Sequence, residues 1–471
     1  LKMKKHTDQS RRNFLKKGTQ SAAVLAATAP WIITGEPGRS IINLPWQRLE
    51  NQPFSANDQI QIACIGMGIM GFGNVKTALM VPGTKLVAVC DLYDGRLKRA
   101  KEVFGKELLT TRDYREILNN PAVDAVIIAT SDHWHEKIAI EAMAKGKAVY
   151  CEKPMTQTIA EGQNLVKAHQ QYKTVFQVGS QYVSNIPYRK ARELLLAGEI
   201  GELNFAEAIF DRQSAIGAWQ YSIPLDASPK TVDWDRFIGH APKRSFDATR
   251  FFRWRNYQDY GTGIPGDLFV HLFSGLHMIT GSLGPDRIMA TGGLRYWNDG
   301  RDVADVMLGL YDYPKTDAHP AFNVALRVNF ADGSGGGSRI RLVGSEGELE
   351  LDVTKVVLRR KPMAKAPGYT VDTFEASQQT AFKEAYARQY SSRGFDLIAP
   401  REVEYKMPEH YGWEGMRISH FEDFMQCIRE KKETVEPPHF GLRAAGPALA
   451  TNLSHYEKKV VQWDPNNMQI A

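Results

Sequence analysis

The chain has 471 residues, enough for two domains with sizeable cores, and its 43% apolar and 24% charged content is that of an ordinary globular protein. Its net charge of +6 comes from residues 1–34: removing their seven basic side chains from 59, and Asp8 from 53 acidic residues, leaves 52 of each. A neutral body excludes an electrostatic nucleic-acid binder, and four cysteines without C-x-x-C spacing give neither a disulfide framework nor a metal-ligand set.

Residues 1–34 read as a targeting segment. Ser10-Arg11-Arg12-Asn13-Phe14-Leu15-Lys16 matches the twin-arginine export signal S-R-R-x-F-L-K at every position. The apolar stretch Ser21 to Ala29 that follows is too short and too alanine-rich to span a bilayer. The expectation is recognition by the twin-arginine export machinery and a periplasmic location after export in the folded state. Ala27-Thr28-Ala29 has the small-residue pattern of a cleavage site, with Pro30 directly after it. Residues 35–57, rich in Pro, Gly, Asn and Gln, read as a linker.

The apolar run Ile60 to Ile65 has the length and composition of a buried parallel strand. Gly66-Met67-Gly68-Ile69-Met70-Gly71 follows, then a helical segment and a second apolar run, Leu86 to Cys90, closed by Asp91. A G-x-G-x-x-G between strand and helix, with a carboxylate twenty residues past its last glycine, is the pattern of a dinucleotide site. Gly66 permits the tight turn, Gly68 lets the backbone approach a pyrophosphate, and Gly71 lets helix and strand pack closely. The helix N-terminus offers free N–H groups to the phosphates. Asp91 would accept hydrogen bonds from ribose hydroxyls and repel a 2′-phosphate, so the expected cofactor is NAD in preference to NADP.

Helices at 95–104, 113–118, 136–145 and 159–172 alternate with apolar strands at 125–130, 148–151 and 175–178. That alternation predicts a doubly wound parallel sheet over residues 58–180. Two strand ends carry polar clusters, where such sheets bind ligands: Thr130-Ser131-Asp132-His133-Trp134-His135 and Glu152-Lys153-Pro154. Further on, residues 204–210, 305–311, 322–330, 338–343 and 355–359 have β-rich or alternating patterns, and residues 419–429 and 440–457 are amphipathic helices. Asp267 and His271, at i and i+4, share one face of a helix, so the carboxylate can orient the imidazole or bind beside it. Trp234, Phe252, Trp254, Tyr257 and Tyr260 make an aromatic-rich stretch interleaved with Arg253, Arg255 and Asp259.

Gly66–Gly71, Asp91, Thr130 through His135 and Glu152-Lys153-Pro154 together resemble the Gfo/Idh/MocA oxidoreductase family, which includes glucose–fructose oxidoreductase and inositol dehydrogenase. E-K-P stands unchanged, while Ser131 and Asp132 replace the Pro and Asn of the usual T-P-N-x-x-H. The likeness covers nearly all of residues 58–460. Val232 to Gly239 is similar to the D-W-D-x-W-L-G segment of extracytoplasmic members, and Asp267 to His271 matches D-x-x-x-H, with Ser274 where the family often has Asp.

The resemblance implies an α/β Rossmann dinucleotide-binding domain followed by an α+β domain with a large, mostly antiparallel open sheet at residues 181–435. A C-terminal helix in residues 436–471 would return to the Rossmann domain. It implies cofactor contacts from Gly66, Met67, Gly68, Ile69, Met70, Gly71, Asp91, Thr130, Asp132, His135, Glu152 and Lys153. His271 would take a hydroxyl proton, oriented by Asp267, while Lys153 stabilises the reacting oxygen. Arg253, Trp254, Tyr257 and Tyr260 would contact a carbohydrate, the aromatic faces stacking on C–H faces of the ring. A homo-oligomer, dimer or tetramer, is expected through the open sheet face. Three functions compete: NAD-linked oxidation of a carbohydrate hydroxyl, redox-neutral glycoside cleavage with recycled NAD, and a non-catalytic sugar-binding protein. Lys153, Asp267 and His271 argue against the third, and Lys153 argues against the glycosidase branch as the family pattern describes it.

Overall fold

The computed structural model describes residues 39–47, 59–361, 368–389 and 401–471, so the twin-arginine stretch lies outside the described residues. Residues 39–43, expected within a linker, form strand β1 (Arg39–Asn43). Six further strands build the first sheet: β2 (Ile60–Ile65), β3 (Thr84–Cys90), β4 (Leu109–Thr111), β5 (Ala125–Ile128), β6 (Ala148–Cys151) and β7 (Phe176–Val178). All pair in parallel, in the order β4-β3-β2-β5-β6-β7. Helices cover both faces, which is why β5 and β6 are apolar at every position and wholly buried. The strand order reverses between β2 and β5. Their C-terminal ends therefore open the crevice in which such sheets take ligands.

Among the described residues, the second sheet has eleven strands. It adds β8 (Leu203–Asp211), β9 (Arg287–Gly293), β10 (Val306–Tyr313), β11 (Phe322–Asn329), β12 (Gly337–Gly344), β13 (Gly347–Leu351), β14 (Lys355–Arg360), β15 (Glu402–Lys406), β16 (Val461–Asp464) and β17 (Gln469–Ile470). The order is β1-β15-β14-β13-β12-β8-β11-β10-β9-β16-β17, antiparallel except at β1–β15 and β8–β11. Alternation along the strands sends Leu342, Leu349, Leu358 and Val403 into a core shared with helices Ile186–Leu196, Val270–Thr280 and Pro438–Glu457. The opposite face carries ion pairs across strands, Arg341–Glu348 at 2.7 Å, Arg359–Glu402 at 3.0 Å and Arg39–Glu404 at 2.6 Å.

Two expected boundaries shift. Helix Gly412–Glu430, expected in the second domain, puts Phe421, Phe424 and Met425 into the Rossmann core, where Phe421 stacks on Tyr150 with ring centroids 4.5 Å apart. Helix Pro438–Glu457 serves both domains. Leu442 enters the Rossmann core, whereas Ala444, Ala445, Ala448 and Ala450 enter the core of the large sheet, their small side chains letting the sheet approach. The chain after it returns to β9 through β16, so residues 436–471 do not belong to the Rossmann domain alone.

Candidate active site

The glycine turn has the geometry its spacing predicts. Gly66 has φ +94°, and a Cβ on Gly71 would lie 1.9 Å from Gly66 O. A Cβ on Gly68 would meet nothing closer than 3.9 Å, so its side faces open space where a ligand can approach. Helix Ile69–Ala78 starts there, its N-terminus turned to the turn's open side. Asp91 accepts from the Met67 amide at 2.7 Å and the Tyr93 amide at 2.9 Å, with Arg96 3.5 Å away. Gly66, Gly68, Asp91 and Arg96 line a cleft of about 400 Å³ together with Ile69, Met70 and Thr130. The far wall comes from the second domain: Tyr221, Arg236, Phe252, Trp254 and Arg255. The residues present fit a dinucleotide: an open glycine, a helix N-terminus and a carboxylate at the end of β3.

Four expected cofactor residues point elsewhere. The Met67 side chain is core, and only its amide is used, by Asp91. His135 is buried and braces the backbone, its Nδ1 2.8 Å from Pro154 O, and burial lowers its pKa to about 4. Glu152 is buried behind Lys153, accepting from Asn74 Nδ2 at 2.7 Å and from the Lys153 amide at 3.3 Å, and burial pushes its carboxyl up. Asp132 accepts from Thr262 Oγ1 at 2.8 Å and turns toward the charges around Lys153.

Those charges form a compact cluster. Lys153, following β6, reaches across the domain boundary to Asp267, its Nζ 2.8 Å from Oδ1 and 2.6 Å from the main-chain oxygen. Arg255 Nε lies 3.1 Å from the same Oδ1, and Arg255 also lines the cleft, so it connects cluster and cleft. Burial alone would raise the Asp267 carboxyl, but Lys153, Arg255 and Arg212 hold it well below the usual carboxylate range.

Asp267 and His271 do not share one regular helix. Pro265–Phe269 is a π turn and the α-helix begins at Val270. The carboxylate is committed to Lys153 and Arg255, and no hydrogen bond joins it to His271. The imidazole packs instead against Tyr182 and Phe210, with ring centroids 5.4 and 6.2 Å away. Its Nδ1 is buried without a hydrogen-bond partner, so Nε2 is the ring nitrogen left to meet a ligand. Burial first, then the charge of Lys153, holds its pKa well below 6.5, so the ring is neutral and its free lone pair can accept a proton.

The expected substrate residues separate. Trp254 lines the cleft with the Arg255 guanidinium 4.2 Å above its ring. Arg253 spends its Nε on Tyr221 O at 2.8 Å and pairs with Gln220. Tyr257 and Tyr260 belong to a buried aromatic cluster with Trp234, Phe237, Phe251 and Phe252, which braces Tyr93 next to Asp91. Their density in sequence reflects a satellite core. Sequence reasoning missed the wall beside His271, built from Tyr182, Phe210, Arg212 and Trp413. Three distant segments supply it, so no local spacing announces it. Among the described residues, no group of three or more His, Cys, Asp or Glu could hold a metal ion.

Comparison with known proteins agrees with this architecture. Residues 60–180 match the oxidoreductase family's NAD-binding Rossmann fold, and residues 229–462 match the same family's C-terminal alpha/beta domain. The chain is 33% identical over 145 residues to scyllo-inositol 2-dehydrogenase (NAD(+)) of Bacillus subtilis, covering 31% of this chain and 42% of that protein. It is 29% identical over 244 residues to a glycosyl hydrolase family 109 protein of Shewanella baltica, covering 48% and 49%. The chain thus spans less than half the length of these two relatives. An oxidoreductase domain protein from Kribbella flavida shares the fold, with TM-score 0.62 at 20% identity over 86% of this chain and 99% of that one. With both halves matched in order, the chain belongs to the Gfo/Idh/MocA oxidoreductase family, and its first domain is that family's NAD-binding Rossmann fold.

Proposed function

We propose that this protein oxidises a ring CH–OH group of a sugar, glycoside or cyclic polyol. NAD, when bound, supplies the hydride acceptor. The observation that carries the reading is Lys153, anchored by Asp267 at 2.8 Å beside a neutral His271, where Arg255 joins this cluster to the glycine-turn cleft. His271 accepts the hydroxyl proton at Nε2. Lys153 gives two of its three N–H bonds to Asp267 and aims the third at the reacting oxygen, favouring its developing negative charge. Asp267 keeps Lys153 and Arg255 in place. The names of the inositol dehydrogenase relatives support a polyhydroxylated ring as substrate. Export by the twin-arginine route remains part of the proposal on the strength of residues 10–16, and oligomerisation through the ion-paired sheet face completes it.

A second reading, redox-neutral glycoside cleavage with the hydride returned, is favoured by the family 109 relative, which matches 48% of this chain. One experiment separates the two. The purified protein is stripped with acid to identify bound nucleotide, and reduced-nicotinamide absorbance is followed over a panel of inositols, sugars and glycosides. Net reduction supports the dehydrogenase; aglycone release without net reduction supports cleavage; absence of NAD affinity removes both.

A further inference from the structure

The wall beside His271 combines two chemistries. Phe210 lies nearly parallel to the imidazole, with an interplanar angle of 29°, and Trp413, 47% exposed, continues the surface with its ring 6.4 Å from Phe210. Partly exposed aromatic faces next to a proton acceptor suit the C–H face of a sugar ring. Arg212, directly after β8, sits at the edge of this wall, its guanidinium 5.2 Å from the Phe210 ring centroid. Nη1 donates to Gly217 O at 2.7 Å, the guanidinium also lies 5.5 Å from the Phe330 ring centroid, and among the described residues its other N–H groups donate to no acceptor.

Lys153, Arg255 and Arg212 all act on Asp267 and hold its carboxyl well below the usual carboxylate range. Two further buried carboxyls lie in this cluster, Asp132 hydrogen-bonded to Thr262 and Glu152 to Asn74 and the Lys153 amide, and neither pairs with Arg212. Lys153 and Arg255 both contact Asp267, whereas Arg212 contacts none of these acids. Arg212 is therefore the one of these three cations without a carboxylate partner, and its Nε and Nη2 donors are free.

We propose that Arg212 recognises a carboxylate on the substrate, so that the oxidised ring is a sugar acid resting on Phe210 and Trp413. A guanidinium binds a carboxylate through two parallel N–H bonds, and the aromatic wall fixes the distance between that carboxylate and His271. This inference rests on the dehydrogenase reading for the chemistry, but not for the binding.

Binding is therefore measured apart from turnover. The NAD-loaded full-length chain is titrated calorimetrically with glucuronate, galacturonate and mannuronate, each against its neutral parent sugar. At least one acid is expected to bind tenfold or more tightly than its parent. Arg212→Gln should abolish that preference, Arg212→Lys should keep part of it, and Trp413→Ala should weaken acid and parent alike. If Arg212→Gln does not fold, the preference of the wild type is followed with salt, where it should collapse, together with Arg212→Lys. The proposal is overturned if no acid outbinds its parent, or if the preference survives Arg212→Gln. Tighter binding of glucose 6-phosphate than of every uronate would overturn the carboxylate assignment. Acid preference without nicotinamide reduction would remove the dehydrogenase and leave the anion site; equal reduction of neutral sugars and acids would do the reverse.

Discussion

Lys153 Nζ donates to both the Oδ1 and the main-chain oxygen of Asp267, at 2.8 and 2.6 Å, and this double contact links the two domains at the end of the cleft. Both residues are buried, so removing either one leaves charge behind. The two removals differ. Lys153→Met leaves Asp267 still paired with Arg255 at 3.1 Å, whereas Asp267→Asn leaves Lys153 and Arg255 facing each other without an anion. Asp267→Asn should therefore cost about 3–5 kcal/mol of stability and Lys153→Met only about 1–2 kcal/mol. Urea denaturation of both variants checks the order. In turnover, Lys153→Met should lower kcat by about a hundredfold with NAD affinity unchanged.

His271 makes a prediction about pH. Burial, Lys153 and Arg212 depress its pKa against the opposing pull of Asp267. Protonation destroys the free lone pair, so activity should fall only once pH drops well below the ordinary imidazole range. His271→Asn should lower kcat by about 10²–10⁴-fold while leaving nucleotide binding intact. A profile of kcat/KM against pH tests this. An acid limb centred near pH 7 that disappears in His271→Asn would contradict the depressed value.

Much of this is legible in the sequence. Apolar runs, a glycine pattern and a carboxylate at a strand end are local features, and the strands over residues 60–178 followed from them, apart from the three-residue β4. What escaped depends on contacts between distant segments. Edge strand β1 lies in a polar stretch and exists because it pairs with β15, more than 350 residues later. Tyr257 and Tyr260 read as substrate contacts because spacing alone cannot separate a binding face from a small core. Asp267 and His271 read in sequence as neighbours on one helical face, but the π turn at Pro265–Phe269 redirects the carboxylate to Lys153. Arg212 and Trp413 are over 200 residues apart, and only the large sheet brings them to the same ring, Phe210.

The glycine turn separates folding from binding. Gly71→Ala would drive a Cβ to 1.9 Å from Gly66 O, a backbone atom that cannot yield without moving β2. Gly68→Ala would meet only the Arg96 guanidinium at 3.9 Å. Gly71→Ala is expected to lose several kcal/mol of stability, about 3 or more. Gly68→Ala should melt like the wild type without nucleotide, yet bind NAD at least about tenfold more weakly, because the methyl occupies the pyrophosphate's approach. Thermal melts and NAD titration of both variants decide it, and unchanged NAD affinity in Gly68→Ala would move the phosphate site away from this turn.

Asp132 gives the folded chain its own pH dependence. Burial raises its carboxyl from 3.8 to about 7, with Arg255 opposing and Asp267 reinforcing the shift. Between these values the unfolded chain has released the proton while the folded chain still holds it. By linkage, the stability contributed by this group is complete below about pH 4 and is lost as pH rises through about 7. The full shift corresponds to at most about 4 kcal/mol. Asp132→Asn retains an acceptor for Thr262 Oγ1 and removes the titration. The variant's advantage over the wild type should grow by about 2–3 kcal/mol between pH 5 and pH 8, measured by urea denaturation at both values. Bound NAD should leave that difference in place, since Asp132 faces Thr262 and the Lys153 cluster and does not line the cleft. A difference that vanishes when NAD is added would instead put Asp132 in contact with the cofactor, as its position after Thr130 first suggests.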